Sequence, residues 1–253
     1  MTRPHSTDAF LDGRLQVRQP IQGYRAGIDP VLLAASVPAR AGDHVLELGC
    51  GAGTALLCLG HRLPGVQLTG LELQGDYAAL ARQNAVANAV ALQIFDGDLS
   101  APPAAVKALT VDYVLANPPY YCAHSTTPPD QTDRAIARTE TLPLAAWIDA
   151  AARRLRPKGW LHLIQTAERL PDVLAACTPR FGALQVLPIA PRTDRPARLI
   201  LIRARKGAKG AFQLCAPLIL HSGAAHHSDG DDFSPQATAL LRHGKALPWP
   251  SPN

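Results

Sequence analysis

A glycine-rich turn between residues 47 and 54 is the first feature of this sequence that could do chemistry. Its glycines, Gly49, Gly51 and Gly53, follow a strand-like run and precede a helix-like run. Glycines at such a turn let the backbone approach a ligand closely. The G-x-G-x-G spacing differs from the G-x-G-x-x-G of dinucleotide-binding enzymes. Glu47 beside the turn would repel a pyrophosphate, so the turn predicts a cationic ligand such as S-adenosylmethionine, which carries a sulfonium and an ammonium group.

Two more carboxylates follow the next two strand-like runs. Glu72 comes about twenty residues after the turn, where a carboxylate can accept hydrogen bonds from ribose hydroxyls. Asp98, after the third run, could accept a hydrogen bond from an adenine amino group. The carboxyl ends of parallel strands form the edge at which ligands bind in open α/β sheets. Glu47, Glu72 and Asp98 in this order therefore predict a nucleoside-containing cofactor.

The segment Asn117-Pro118-Pro119-Tyr120 follows the fourth strand-like run. Its two prolines fix φ and give a stiff, extended backbone that exposes carbonyl oxygens. The amide oxygen of Asn117 and the carbonyl of Pro118 could each accept one N–H of a target amine, which positions the nitrogen lone pair without a strong base. Tyr120 offers a ring for stacking a flipped-out base. We therefore expect Asn117, Pro118 and Tyr120 to be catalytic residues, with Asn117 also next to the cofactor.

These residues need a scaffold, and the hydrophobic pattern supplies one. Strand-like and helix-like runs alternate, which predicts an α/β fold with a mostly parallel, twisted sheet and helices on both faces. Two late runs with no helix between them predict an antiparallel hairpin at the edge of that sheet. The predicted strands are 44–48, 66–73, 91–95, 112–116, 160–164, 184–189 and 199–203, and the predicted helices are 54–62, 76–88 and 144–155.

The chain divides into three predicted parts: an N-terminal segment (1–43), a core (44–206) and a partly flexible C-terminal extension (207–253). In the first part, Asp29 and Pro30 predict the N-cap and first turn of a short helix. In the last part, residues 212–220 predict one further strand. Ser234 and Pro235 predict the start of a helix that ends at Arg242.

Composition limits the class of protein. The chain has 253 residues, of which 47% are hydrophobic and 18% are charged, which is not typical of a disordered or coiled-coil protein. Five scattered cysteines without a C-x-x-C pair argue against disulfides and a metal site and favour a reducing cytoplasm. We expect no signal peptide and no membrane span. The sequence leaves a monomer and a homodimer equally open.

The net charge of +5 permits a polyanionic partner but does not require one. The cations form two groups in the sequence. The first is typical of a solvated helix end, and the second, which flanks the predicted hairpin, could contact RNA phosphates. The first group is Arg153, Arg154, Arg156 and Lys158, and the second is Arg192, Arg195, Arg198, Arg203, Arg205, Lys206 and Lys209.

The motifs of residues 44–205 together resemble the Rossmann-like class I S-adenosylmethionine-dependent methyltransferases that carry an Asn-Pro-Pro-Tyr motif. Further segments extend the resemblance to the bacterial tRNA1(Val) adenine-37 N6-methyltransferase family. The resemblance implies S-adenosylmethionine as cofactor, tRNA as partner and N6-methylation of an adenine next to the anticodon. It also implies that Arg25 approaches the methionine moiety or orders the first helix. The further segments are 24–33, Tyr121, Arg134, Arg138, 218–221 and 233–234.

Other functions remain open from the sequence. A protein-glutamine methyltransferase acting on release factors shares the Asn-Pro-Pro-Tyr motif, but about forty residues before the glycine turn leave little room for its helical domain. A DNA adenine methyltransferase would carry a larger target-recognition region. A module that only binds S-adenosylmethionine or RNA would not need Asn117 and Tyr120. A dehydrogenase does not fit the glycine spacing.

Overall fold

The computed structural model describes residues 4–119, 142–223 and 232–250. No helix in these ranges combines the length and the apolar character that crossing a membrane requires. The strands are β1 (His5–Phe10), β2 (Leu15–Pro20), β3 (His44–Leu48), β4 (Gln67–Glu72), β5 (Gln93–Asp96), β6 (Val111–Ala116), β7 (Leu155–Thr166), β8 (Phe181–Ala190), β9 (Leu199–Lys206), β10 (Gln213–Leu214) and β11 (Leu218–Ile219). The α-helices are α1 (Asp29–Ala35), α2 (Thr54–Arg62), α3 (Gly75–Ala87), α4 (Ala104–Lys107), α5 (Leu144–Arg154), α6 (Leu170–Cys177) and α7 (Pro235–Leu241).

Nine strands form one sheet, in the order β10-β8-β9-β7-β6-β3-β4-β5, with β11 also paired to β8. Strand β9 runs antiparallel to both of its neighbours, β7 and β8, and the other pairs are parallel. This confirms the predicted mostly parallel sheet and the β8–β9 hairpin. The hairpin is not the outermost part of the sheet, because β10 and β11 cover the free edge of β8.

Helices pack on both faces of the sheet, as predicted. Strand β3 shows how the faces are separated: Val45 belongs to the hydrophobic cluster that includes α1, α2, α3 and α7, whereas Leu46 and Leu48 belong to the cluster with α4, α5 and α6. Side chains alternate between the faces of a strand. Glu47 therefore points toward the face that α1, α2 and α3 cover.

Strand β3, helix α2 and the start of α5 have the predicted bounds, and the other predicted core elements differ by a few residues at their ends. Helices α4 and α6 were not predicted. Asp29 is not the N-cap of α1. It is the first residue of the helix, since Ile28 already has right-handed helical angles and no side chain caps this end. Ser234 does cap α7, because its side chain accepts a hydrogen bond from the backbone N–H of Ala237.

The N-terminal part contains a hairpin that the sequence analysis missed. Strands β1 and β2 pair antiparallel with Phe10 opposite Leu15, and a turn with positive φ at Leu11, Asp12 and Gly13 joins them. An Asp-Gly pair followed by alternating apolar residues is a hairpin signal that could have been used. Side chains of the hairpin and of α1 share the hydrophobic cluster of α2 and α3, so the predicted first and second parts are packed together.

Asn84 in α3 and Asn88, the C-cap residue of this helix, hold the open edge of β2. The side-chain amide of Asn84 accepts from the backbone N–H of Arg18 at 2.8 Å and donates to the backbone carbonyl of Arg18 at 3.0 Å. Asn88, one helical turn later, makes the same pair of bonds to Gln16, at 2.9 and 2.8 Å. Asn84 also donates to the carbonyl of Ala52 at 3.0 Å. One buried amide therefore joins the hairpin to the glycine turn.

The C-terminal extension does not form the single predicted strand. Residues 213–214 and 218–219 make two short strands on β8, and Pro217, which cannot donate a ladder hydrogen bond, lies between them. The chain then crosses α1, where the indole N–H of Trp249 donates to the carbonyl of Ser36 at 2.7 Å. The carbonyl of Pro250 accepts from Arg203 at 3.1 Å. The described part of the extension is thus packed against the core.

We predict that Asn84→Ala lowers the free energy of unfolding by about 2–3 kcal/mol, because it leaves the buried carbonyl of Ala52 and the part-buried backbone groups of Arg18 without partners. Urea denaturation measures the loss, and hydrogen exchange at the Arg18 amide shows whether the hairpin opens first. Asn88→Ala is the matched control, since its bonds are more exposed and its loss costs less. Equal effects of the two substitutions would contradict this role of Asn84.

Candidate active site

The glycine turn closes tightly at the carboxyl end of β3. Gly49, Gly51 and Gly53 all have positive φ, and Gly53 is the left-handed N-cap of α2. A Cβ at Gly49 would lie 2.7 Å from the ring of Trp147, and one at Gly53 would lie 3.3 Å from Ala81. A Cβ at Gly51 would meet nothing within 4 Å. The turn therefore needs its three glycines for backbone conformation, and at two of them also for close packing.

Glu72 braces this turn from the neighbouring strand. Its carboxylate accepts from the backbone N–H of Gly51 at 2.8 Å and from that of Gln74 at 2.9 Å. The side chain is buried, and burial raises its pKa above the ordinary value, against the lowering effect of these donors. Each carboxylate oxygen keeps acceptor capacity beyond these bonds. Contact of Glu72 with ribose hydroxyls stays a prediction.

Glu47 is the most unusual group of the site. It is 3% exposed, and its Oε2 has no hydrogen-bond partner in the described part of the chain. Burial, and next the nearby charge of Glu72, raise the pKa of Glu47 well above the ordinary value, while the backbone N–H of Leu56 lowers it. A buried carboxylate is costly unless it is neutralised or paired. This arrangement suits a cation that brings the missing partner.

Asn117 and Pro118 follow β6, two strands from Glu72. Asn117 is half-buried and Pro118 is buried. The side chain of Gln165, which is fully buried on β7, donates from Nε2 to the Pro118 carbonyl at 3.3 Å. This bond holds the Pro118 carbonyl against the sheet. Tyr120, together with Tyr121, Arg134 and Arg138, lies outside the described residues.

A segment that we term the strap, residues 21–28, connects β2 to α1 and reaches the site. Asn117 donates from Nδ2 to the phenolic oxygen of Tyr24 at 3.1 Å. Tyr77 of α3 donates from its hydroxyl to the Tyr24 carbonyl at 2.9 Å. Tyr24 is half exposed, and the enclosure of its phenol, with the charges of Asp29 and Glu47, raises its pKa. A tyrosine phenol is neutral at physiological pH even without this shift. The strap therefore places a neutral hydroxyl on the Asn117 amide.

Arg25 secures the strap to the hairpin. Its guanidinium donates to Asp8 at 2.5 Å, to the Ser6 hydroxyl at 2.9 Å and to the Pro20 carbonyl at 2.8 Å. Gln19 adds a further link, because its side chain accepts from the backbone N–H of Ala26 at 2.7 Å. Arg25 thus orders the segment before α1. Direct contact of Arg25 with the cofactor stays a prediction.

One cavity lies between the strap, the glycine turn and β6. Of the predicted site residues, it brings together Glu47, Gly49 and Asn117, and Thr54 contributes a buried hydroxyl without a partner among the described residues. Of the other wall residues, Cys50, Ala52 and Ala55 belong to the glycine turn and the start of α2. Gln19, Tyr24 and Tyr77 were missed because they come from segments distant in sequence. The complete lining is Gln19, Tyr24, Ala26, Pro30, Glu47, Gly49, Cys50, Ala52, Thr54, Ala55, Tyr77 and Asn117.

The other predicted cofactor residues lie around this cavity without lining it. Asp98 accepts from the backbone N–H of Ser100 at 2.8 Å, in a loop whose Gly97 N–H donates to the Glu72 carbonyl at 2.8 Å. This places Asp98 next to the end of β4, and its contact with adenine stays a prediction. No group of three or more metal-ligating side chains is found in the part of the chain that the structure describes.

Comparison with known proteins gives consistent matches. The family described as methyltransferase small domain matches residues 26–187. The tRNA1(Val) (adenine(37)-N6)-methyltransferase of Porphyromonas gingivalis is 30% identical over 88% of this chain and 91% of its own length. The protein of the same name from Dickeya chrysanthemi is 29% identical, over 96% of this chain and 98% of its own.

Solved structures show the same fold. A predicted O-methyltransferase from Agrobacterium tumefaciens is similar with a TM-score of 0.70 and 27% identity, over 86% of this chain and 97% of that chain. A 16S rRNA N2 G1207 methyltransferase from T. thermophilus, solved with AdoMet and guanosine, has a TM-score of 0.55 and 21% identity, over 80% of this chain and 50% of that chain.

We predict that Glu47→Gln increases the free energy of unfolding by about 1–3 kcal/mol near neutral pH, because the buried carboxyl must there either carry a charge or take up a proton and the amide does neither. A raised carboxyl pKa favours the folded state at low pH, and this contribution is lost as pH rises from the unfolded pKa through the folded one. The stability gain should therefore grow with pH in thermal or urea unfolding. Glu168→Gln, at an exposed position, is the control. A neutral or destabilising Glu47→Gln above the raised pKa would contradict the assignment.

Proposed function

This chain belongs to the family of tRNA1(Val) (adenine(37)-N6)-methyltransferases, and on that premise we propose that it methylates N6 of an adenine in tRNA, with position 37 of a valine tRNA as the target. Its cofactor is S-adenosylmethionine. The observation that carries the proposal is the cavity in which the unpartnered carboxylate of Glu47 and the amide of Asn117 meet. The reaction belongs in the cytoplasm, with tRNA as the macromolecular partner and without a metal.

The cavity, of about 30 Å³, is smaller than the cofactor, but the polar groups around it fit the cofactor's cationic part. Glu47 Oε2 and Thr54 Oγ1 are buried polar atoms that lack a partner within the described residues, and both residues line the cavity. Glu47 would hold a cationic part of S-adenosylmethionine, Glu72 the ribose and Asp98 the adenine. Gly49, Gly51 and Gly53 provide a turn without side chains for it to lie against. When bound, the cofactor supplies a methyl group that the sulfonium makes electrophilic.

Asn117 and Pro118 position the target amine. The Asn117 Oδ1 and the Pro118 carbonyl accept the two N–H groups of the adenine N6, which directs the nitrogen lone pair out of the ring plane. Gln165 keeps the Pro118 carbonyl in place through its 3.3 Å hydrogen bond. The amine becomes acidic on methylation and then loses a proton. No strong base is required, because the gain comes from orientation and from acceptors placed in advance.

Tyr24 is a positioning residue for Asn117. Asn117 donates from Nδ2 to the Tyr24 phenolic oxygen at 3.1 Å, which turns the Asn117 Oδ1 away from the phenol. The Asn117 Oδ1 is then available to accept a hydrogen bond from the target amine. Because the phenol of Tyr24 is neutral, this orientation persists across the physiological range. Stacking of the base on Tyr120 completes the proposed binding mode.

The protein-glutamine alternative lacks a supporting observation. Residues 5–20 before the glycine turn form the β1–β2 hairpin, and the helix that follows, α1, has seven residues. The hairpin and α1 pack against the core and close the cofactor cavity. They do not form a separate helical domain in the described residues.

The direct test incubates the protein with radiolabelled S-adenosylmethionine and, separately, unmodified tRNA, DNA and a release factor. We expect label in tRNA, recovered as N6-methyladenosine. Asn117→Ala should lower the rate at least about 100-fold, as loss of a preorganised polar group at a reaction centre does, whereas Asn88→Ala should retain activity. Label only in protein would overturn the proposal, and full activity of Asn117→Ala would overturn the mechanism.

For Tyr24→Phe we expect kcat to fall about 5- to 10-fold with KM for S-adenosylmethionine unchanged, because the ring is kept and one orienting hydrogen bond is lost. In an Asn117→Ala background the same change should have no further effect, since the amide is absent. Tyr113→Phe, a half-buried tyrosine outside the site, is the matched control. An increase in KM alone, or independent effects of the two substitutions, would contradict the positioning role.

A further inference from the structure

The positive charge of this chain is concentrated in one stretch. Residues 153–213 contain 13 Lys and Arg against 3 Asp and Glu, whereas the whole chain has 25 and 20. The stretch comprises the end of α5 and the strands β7, β8 and β9. One half of the sheet is therefore strongly basic, and the remaining part of the chain carries a net negative charge.

The structure divides the second cationic group of the sequence analysis between the two ends of this half, except for Arg203, which is buried within β9 and donates to Gln185. Arg192, Arg195 and Arg198 lie in the β8–β9 turn, at the same end of the strands as Asn117. Arg205, Lys206 and Lys209 lie at the opposite end of the strands, near Lys158 of the first group. The sequence analysis described these residues as one group. In the structure, the length of strands β8 and β9 separates the residues at the turn from those at the other end of the hairpin.

A groove of about 410 Å³ lies at the end of the strands that is opposite to Asn117. Three cations line it, Lys158, Arg205 and Lys209, and no Asp or Glu is among its described lining residues. The side chains of Lys158 and Lys209 make no hydrogen bond or ion pair with the residues that the structure describes. Phe212 lines the groove and the residue is 52% exposed, so an aromatic residue borders the same space as the charges.

Backbone hydrogen bonds hold residues 207–210, which form one wall of the groove, against the start of β8. Ala183, at a bulge in β8 with positive φ, donates from its N–H to the Gly210 carbonyl at 2.9 Å, and Gly207 donates to the Arg180 carbonyl at 2.9 Å. Gly182 permits close approach, since a Cβ there would clash with the Ala208 carbonyl. On the inner side, the Arg205 guanidinium donates to the Lys158 carbonyl at 3.0 Å. The bulge therefore fixes the wall that carries Lys209 and Phe212.

We propose that this groove is a second RNA-binding site, which holds the phosphate backbone of the tRNA substrate and stacks one of its bases on Phe212. The inference rests on the proposed function for the identity of the RNA. Cations without nearby carboxylates attract phosphates, and an exposed aromatic ring stacks any base. Lys158 lies several residues along β7 before the position that is beside Asn117. At the rise of a β-strand, this separation places the groove roughly 20 Å from the candidate active site. The occupant is therefore a part of the RNA outside the target nucleotide.

The test measures equilibrium binding of unmodified tRNA at several salt concentrations. For Lys158→Ala/Lys209→Ala we expect about 10-fold weaker binding near 0.1 M salt and a decrease of about 2 in the slope of log K against log salt concentration. Phe212→Ala should weaken binding about 5-fold or more with an unchanged slope. In methylation assays KM for tRNA should rise while kcat at saturation stays constant, because the groove is remote from the reacting atoms.

The matched control is Arg40→Ala/Lys245→Ala, which removes the same charge from exposed positions outside the basic half. If the groove and control variants bind tRNA equally, or the wild type does not bind tRNA, the inference is overturned. Displacement of tRNA from the groove by AMP at equal concentration would show a mononucleotide site and would also overturn it. A wild type that binds tRNA without methylating it would refute the proposed function, while the binding data would still decide on the groove.

Discussion

The burial of Glu47 is the constraint on which the site depends. A carboxylate that is 3% exposed, next to Glu72 and with one oxygen unpartnered among the described residues, is unfavourable in the protein alone. A hydrophobic residue at this position of β3 would pack without that cost. The arrangement is explained if a cation is bound there in the working state, and S-adenosylmethionine provides one. On this proposal, the free protein is less stable than it would be with an apolar residue at position 47, and the site gains selectivity for a cationic cofactor.

The elements around Glu47 limit where that cofactor can lie. The glycine turn brings backbone close on one side, and Glu72 fixes the turn through Gly51. The hairpin closes the other side, because Asn84 ties it to the carbonyl of Ala52 and Arg25 ties the strap to Asp8. Through these contacts the strap, which precedes the glycine turn in sequence, sets the orientation of the Asn117 amide. Binding of the cofactor and presentation of the target amine are therefore coupled by packing.

Much of this arrangement follows from sequence, and the exceptions have physical reasons. The strand 44–48, the helix 54–62 and the Ser234 cap are local, so pattern and capping chemistry suffice to predict them. The hairpin depends on Asn84 and Asn88, which are distant in sequence, although its Asp12-Gly13 turn was a usable local signal. Tyr24 and Gln19 become part of the site only when separate segments meet, whereas Thr54, at the end of the glycine turn, could have been named from the sequence. Likewise, the cations of 192–209 form two groups only once the β8–β9 register is known.

The most direct test of this account is calorimetry of S-adenosylmethionine binding in buffers of different ionisation enthalpy, across mildly acidic to neutral pH. Because the pKa of Glu47 is raised, the carboxyl is protonated below that value, and a bound cation should expel the proton. We expect the wild type to release a proton on binding and to bind more tightly as pH rises, and Glu47→Gln to bind more weakly with little proton release. Equal affinity and equal proton release for the two proteins would contradict the account.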